Sequence, residues 1–94
     1  MHWFVYKDDL FVPVDVKAFT INEAVGVGLQ LAREILGGVD KYCVYKGDGE
    51  LVIEFWRGGE SIKLIHSDKP SEAVMRYYDA ERNGVVRCID YFNR

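Results

Sequence analysis

The chain has 94 residues, of which 49% are hydrophobic and 14% aromatic, and its formal charge is −3 at pH 7. This length and apolar content exclude a second folded domain and argue against disorder, so a single compact domain over residues 1–94 is predicted. Without a basic excess, non-specific binding to nucleic acid is disfavoured.

The N-terminal segment has the pattern of a hairpin. Residues 3–6 form one apolar run, and residues 10–17 alternate Val12, Val14 and Val16 with other side chains, as a half-buried strand does. Pro13 has no amide hydrogen, so we expect the second strand at a sheet edge or at a bulge.

A first helix is predicted to begin at Thr20, because Thr20 and Glu23 have the spacing of a capping box, and to end at Gly37-Gly38. Gly26 and Gly28 fit a loose dinucleotide-binding pattern. They fall inside this helix rather than at its start, so we interpret them as glycines that allow a close approach of helix to sheet.

The rest of the chain reads as three strands, a helix and a last strand. The strands are predicted over residues 41–46, 50–57 and 60–66, because glycine-containing turns separate them. The helix is expected to be capped by Ser67 or Asp68, with Pro70 in its first turn, and to stop at Asn83-Gly84. The last strand is predicted over residues 85–92.

This order, β-(β)-α-β-β-β-α-β, predicts an α+β fold in which two helices pack on one face of an antiparallel sheet.

Two cysteines are too few for a disulfide framework or a zinc site. We therefore expect Cys43 and Cys88 to be reduced and mostly buried in a cytoplasmic protein, with one bridge between neighbouring strands left open as an alternative. No signal peptide is expected at the N-terminus, and no apolar run is long enough to span a membrane.

No arrangement of residues indicates catalysis, a cofactor or a metal. The adjacent residues His66, Ser67 and Asp68 cannot form a relay because neighbouring side chains point in different directions. The histidines and cysteines match no metal-ligand spacing. The chain is therefore predicted not to be an enzyme, and neither a cofactor nor a metal is expected.

Aromatic placement is the remaining feature. In residues 50–57, Trp56 lies on the same face as Glu54, and Tyr45 of the preceding strand shares it. If the helices cover the opposite face, this one needs another cover: the N-terminal hairpin with Trp3, a second copy, or a different protein. The candidate binding residues are therefore Trp3, Tyr45, Glu54, Trp56 and Arg57.

These observations favour a non-catalytic protein-binding module, a small regulator or inhibitor of the phage or immunity type that occupies a surface of a larger protein, with a homodimer also open. The first alternative is a nucleic-acid-binding module that uses Tyr45 and Trp56 as stacking platforms with the basic residues Lys41, Lys46, Arg57, Lys63 and Arg76. The second is a small enzyme or ligand carrier with a pocket near Cys88, His66 and Tyr78.

Overall fold

A computed structural model describes residues 2–91. In chain order its elements are β1 (His2–Lys7), β2 (Leu10–Val14), α1 (Ile21–Leu36), β3 (Lys41–Gly47), β4 (Glu50–Arg57), β5 (Glu60–Ser67), α2 (Pro70–Arg82) and β6 (Arg87–Asp90). The element order and the α+β class are those predicted.

Within residues 2–91, six strands form one sheet in the order β2-β1-β5-β4-β3-β6, and each neighbouring pair is antiparallel. The predicted N-terminal hairpin is present, and Pro13 lies in the edge strand β2. This strand ends at Val14 rather than at residue 17. Val14 pairs with Trp3, the second residue of β1. Only His2 of β1 lies beyond this pair, so β1 offers almost no further residues with which β2 could pair.

The helices lie on opposite faces of the sheet, and the prediction of two helices on one face is wrong. Helix α1 packs with Leu51, Ile53 and Phe55 of β4, whereas α2 packs with Val52 of β4 and with Ile65 of β5. We call these the α1 face and the α2 face. Both faces of β4 are apolar enough to need a cover, and each helix supplies one.

Helix α1 begins at the predicted capping box, although Glu23 caps the Phe19 amide where the capping box would have it cap the Thr20 amide. The Glu23 amide donates to the Thr20 hydroxyl at 3.1 Å, and the Glu23 carboxylate accepts from the Phe19 amide at 3.0 Å. Gly28 is buried against the ring of Phe55, which confirms the close approach of helix to sheet there. Gly26 is exposed and has open space around it, so that interpretation does not hold for it.

Helix α2 begins differently from the prediction. Its N-cap is Lys69, which makes no capping hydrogen bond through its side chain, and Pro70 occupies the first turn as expected. The Ser67 hydroxyl instead accepts from the Lys69 amide at 3.0 Å, which orders the turn before the helix. Strand β6 begins at Arg87, two residues later than predicted, and the predicted end at Phe92 lies outside the described residues.

Cys43 and Cys88 form a disulfide between the neighbouring strands β3 and β6. The expectation of reduced thiols is therefore wrong, because the two residues are direct partners in the antiparallel ladder. Reduced thiols were one reason to expect a cytoplasmic location, and this reason no longer applies, since disulfides persist mainly in oxidising compartments. Within residues 2–91, neither helix combines the length and the apolar character that crossing a membrane would take.

Candidate functional site

The five predicted binding residues do not form one surface. Trp3 lies on the α1 face, where its ring is 4.5 Å from that of His66. Arg57 lies on the same face, and its guanidinium donates to the Leu36 carbonyl oxygen at the end of α1 over 3.1 Å. Tyr45, Glu54 and Trp56 share the α2 face, as predicted, but α2 covers much of that face.

Glu54 is buried inside the chain, where a partner protein cannot contact it, so its assignment as a binding residue is corrected. Its side chain accepts hydrogen bonds from the Tyr77 and Ser61 hydroxyls, each at 2.7 Å, and forms an ion pair with Lys63 at 3.0 Å. Glu54 and Lys63 are 5% and 4% exposed. Every buried side-chain nitrogen or oxygen in the described part of the chain has a hydrogen-bond partner, so this cluster is an internal polar core.

The environment of this cluster favours the charged form of Lys63. Burial alone would lower the pKa of Lys63, but a hydrogen bond with Tyr78 and the nearby charge of Glu54 raise it above its ordinary value. The Lys63 ammonium also lies 5.1 Å from the centre of the Tyr6 ring and 5.0 Å from the centre of the Tyr78 ring. Burial and the bond to Glu54 raise the pKa of the Tyr77 hydroxyl. Lys63 is therefore a charged structural group and is not primed as a nucleophile.

Trp56 and Tyr45 are half-buried. The Lys41 ammonium lies 4.8 Å from the centre of the Trp56 ring, and the Tyr45 ring lies 6.4 Å from that of Tyr77. Both aromatic rings therefore have partners within the chain, so neither one needs a partner protein to be covered.

Sequence reasoning missed a groove on the α1 face. We call it the α1–β6 groove; it measures about 520 Å³ and is lined by Ile21, Asn22, Val25, Tyr42, Val44, Lys46, Val85, Arg87, Cys88 and Ile89. Helix α1 packs on β4 and β5, so it leaves the outer strands β3 and β6 without a helix above them. In the sequence, the alternating residues Val85, Arg87, Ile89 and Tyr91 indicate a partly apolar face of the last strand.

The α1–β6 groove exposes apolar side chains to solvent. Ile21 is 40% exposed, Ile89 48% and Val85 64%. Tyr91, 36% exposed, lies beside the groove with its ring 6.3 Å from that of Tyr42. Clustered exposed apolar residues on one face are typical of interaction surfaces.

The charges of the groove have one sign, although the chain as a whole is acidic. Among the described residues that line it, the charged ones are Lys46 and Arg87. Lys46 donates to the Gly47 carbonyl oxygen at 2.9 Å, and Arg87 has no carboxylate partner among the described residues. The groove therefore combines an apolar floor with a positive rim.

Within residues 2–91, no three His, Cys, Asp or Glu side chains come together as a metal site would need. The carboxylates that are well buried, Glu50 and Glu54, are each bonded to a cation or a hydroxyl inside the protein. The chemistry that the groove itself offers is recognition through apolar contact and positive charge.

Comparison of the chain with family models, with curated proteins and with solved structures yields no match in any of the three.

Proposed function

We propose that this chain is a non-catalytic protein-binding module, which regulates or inhibits a larger protein by holding an amphipathic helix of that protein in the α1–β6 groove. The observation that supports the proposal is the exposed apolar floor of the groove together with the positive charges of Lys46 and Arg87 at its rim.

A helix suits this floor in width and length. Neighbouring strands are about 4.8 Å apart, so β3 and β6 together offer a strip of roughly 10 Å, which is about the diameter of one helix with its side chains. Strand β3 has seven residues and so spans about 23 Å, the length of a helix of about 15 residues. Strand β6 pairs with the first four residues of β3, over about 13 Å of this length. A helix seated there lies beside α1 and can pack against Ile21 and Val25.

The positive rim selects the partner. Lys46 and Arg87 favour a helix whose apolar stripe is flanked by Asp or Glu, and they disfavour one flanked by Lys or Arg. This selection weakens as salt is added, because both cations lie near solvent.

Ile89 allows a direct test. Burying an isoleucine side chain contributes about 1.5–3 kcal/mol, and every 1.4 kcal/mol is tenfold in affinity. Ile89 is already about half covered, so replacing it with aspartate is expected to weaken helix binding by at least about tenfold once the repulsion of acidic flanks is added.

The experiment is a display selection. A library of 15-residue amphipathic helices, with Glu or Lys varied at the positions flanking the apolar stripe, is selected for binding to the oxidised protein. We expect Glu-flanked helices to be enriched, to lose affinity for the Ile89→Asp variant, and to shift the methyl NMR signals of Ile21, Val25 and Val44.

Leu10→Asp is the matched control, because Leu10 is an exposed apolar residue of the opposite edge strand, 66% exposed. It should leave the selected helices bound. Enrichment of Lys-flanked helices, or equal loss with the two variants, would contradict the proposal. If the protein sediments as a dimer and Ile89→Asp makes it a monomer, the occupant of the groove is a second copy of the chain rather than a partner helix.

Nucleic-acid binding through the sheet has less support. Of its candidate cations, Lys63 is buried with Glu54, and Arg76 is bonded to Glu50 through two hydrogen bonds of 2.8 Å and 2.6 Å. Helix α2 also packs over the face that holds Tyr45, so the stacking platform that a single strand of nucleic acid needs is not open.

A further inference from the structure

Strand β6 is a short, exposed outer strand of the sheet. Among the described residues it is an edge strand of four residues that pairs with β3 alone, and none of its residues is buried. Beyond its end, the Tyr91 amide donates to the Asp40 carbonyl oxygen at 2.9 Å. Little apolar burial therefore holds this strand in place.

The disulfide sits inside this short ladder. Cys88, the second residue of β6, pairs directly with Cys43, and the bond closes a segment with a sequence separation of 45 residues. Cys43 is 1% exposed, whereas Cys88 is exposed. Cys88 is thus the solvent-facing residue of the pair, and it is the one that we expect an attacking thiolate to reach without opening the core.

We infer that the Cys43–Cys88 disulfide is a redox-sensitive clasp, and that its reduction by a dithiol releases β6 from β3 while the rest of the sheet stays folded. The thiolate of the dithiol attacks Sγ of Cys88 and forms a mixed disulfide, and the S–S bond breaks with Cys43 leaving as a thiolate that takes up a proton. The second thiol of the dithiol, as its thiolate, then attacks the mixed disulfide, and Cys88 leaves and is protonated. Two electrons pass to the protein, which ends with two thiols, and the dithiol ends as a disulfide.

Release of β6 would change two surfaces. It would uncover the edge of β3, with its backbone N–H and carbonyl groups. It would also remove Arg87 and Ile89 from the α1–β6 groove, so that oxidation would permit helix binding and reduction would abolish it. This effect on binding rests on the proposed function, whereas the release of β6 does not.

Hydrogen exchange of the whole chain tests the clasp. We expect dithiothreitol to lower the protection of the β6 amides and of their β3 partners to within about tenfold of unprotected amides. The amides of β1, β4 and β5 lose protection too, because opening a loop of this length adds chain entropy to the unfolded state, but they stay at least tenfold better protected than those of β6. The Cys43→Ala/Cys88→Ala variant should show the same pattern without reductant and should not respond when reductant is added.

Unchanged protection of β6 after reduction would overturn the inference. So would β6 amides that stay as well protected as those of β4 and β5 after reduction, because the bond would then stabilise only the whole domain and not one edge. The rate of reduction gives a second measurement that needs no variant. If reduction proceeds only as fast as global unfolding, Cys88 is not the accessible sulfur that the clasp requires. Helix binding is measured separately, so its failure would leave the result on β6 intact.

Discussion

Alanine substitutions at two glycines of α1 should change stability in opposite directions. In a helix interior, alanine is more stable than glycine by about 0.5–1 kcal/mol. At Gly26 a Cβ atom would meet no atom within 4 Å, so Gly26→Ala should realise most of this gain. At Gly28 a Cβ atom would come within 2.5 Å of the ring of Phe55, which is fully buried and has no room to withdraw. Overpacking of a core costs about 1–3 kcal/mol, so Gly28→Ala should lower the free energy of unfolding by about 1–2 kcal/mol net.

Urea unfolding followed by circular dichroism measures both changes, and thermal melting should agree, since 1 kcal/mol corresponds to about 4–8 °C in a domain of this size. Phe55→Leu supplies the control. In that background the ring is gone, and Gly28→Ala should become much less destabilising or favourable. If Gly28→Ala stabilises the native protein as much as Gly26→Ala does, the close packing of α1 on β4 is refuted.

Two further predictions concern the α2 face. Lys63→Met leaves Glu54 buried without its cation and should lower the free energy of unfolding, measured in urea, by about 3 kcal/mol. Glu54→Gln/Lys63→Met should recover most of that loss, because glutamine still accepts from the neighbouring hydroxyls. A double variant as unstable as the single one would contradict this account. The hydrogen bonds from Arg76 hold the pKa of Glu50 below its ordinary value of 4.5, so the stability they contribute is present above that pH and is lost as the pH falls through the lowered pKa. Arg76→Met should therefore lower the melting temperature at pH 7 and make less difference under acid conditions, and a constant difference down to acid pH would show that the ion pair is not responsible.

The local structure was predictable because its signals lie within a few residues. Thr20 and Glu23 marked the start of α1, the glycine turns placed β3, β4 and β5, and Pro13 marked an edge strand. Each of these signals depends on backbone geometry over a single turn.

The relation between faces was harder to predict. Residues 51–55 of β4 are all buried, and this strand needs a cover on both sides. The charge of Glu54 suggested an open face, although the two-residue turn of Gly58 and Gly59 puts Lys63 directly opposite it. A pair of opposite charges in register across a hairpin can be a buried ion pair, and here α2 and its Tyr77 complete it.

The candidate site could be predicted only in part. A surplus of apolar surface was expected, but it was assigned to Trp3, Tyr45 and Trp56, which have partners within the chain. The groove depends on α1 lying over β4 and β5 rather than over β3 and β6, and this lateral placement leaves no local signal in the sequence. The disulfide depends on the pairing of β3 with β6, which are separated by most of the second half of the chain.

The two rims of the sheet also differ in what they allow between molecules. On one side Pro13 lacks the N–H group that a continuing ladder would use, whereas the other rim, formed by β6, contains no proline. Edge-to-edge association is thereby limited to the β6 rim. When two molecules pair through their β6 rims, neither has a second such rim for a further molecule. Growth of this kind stops at a pair, so the proline protects the protein against extended fibres.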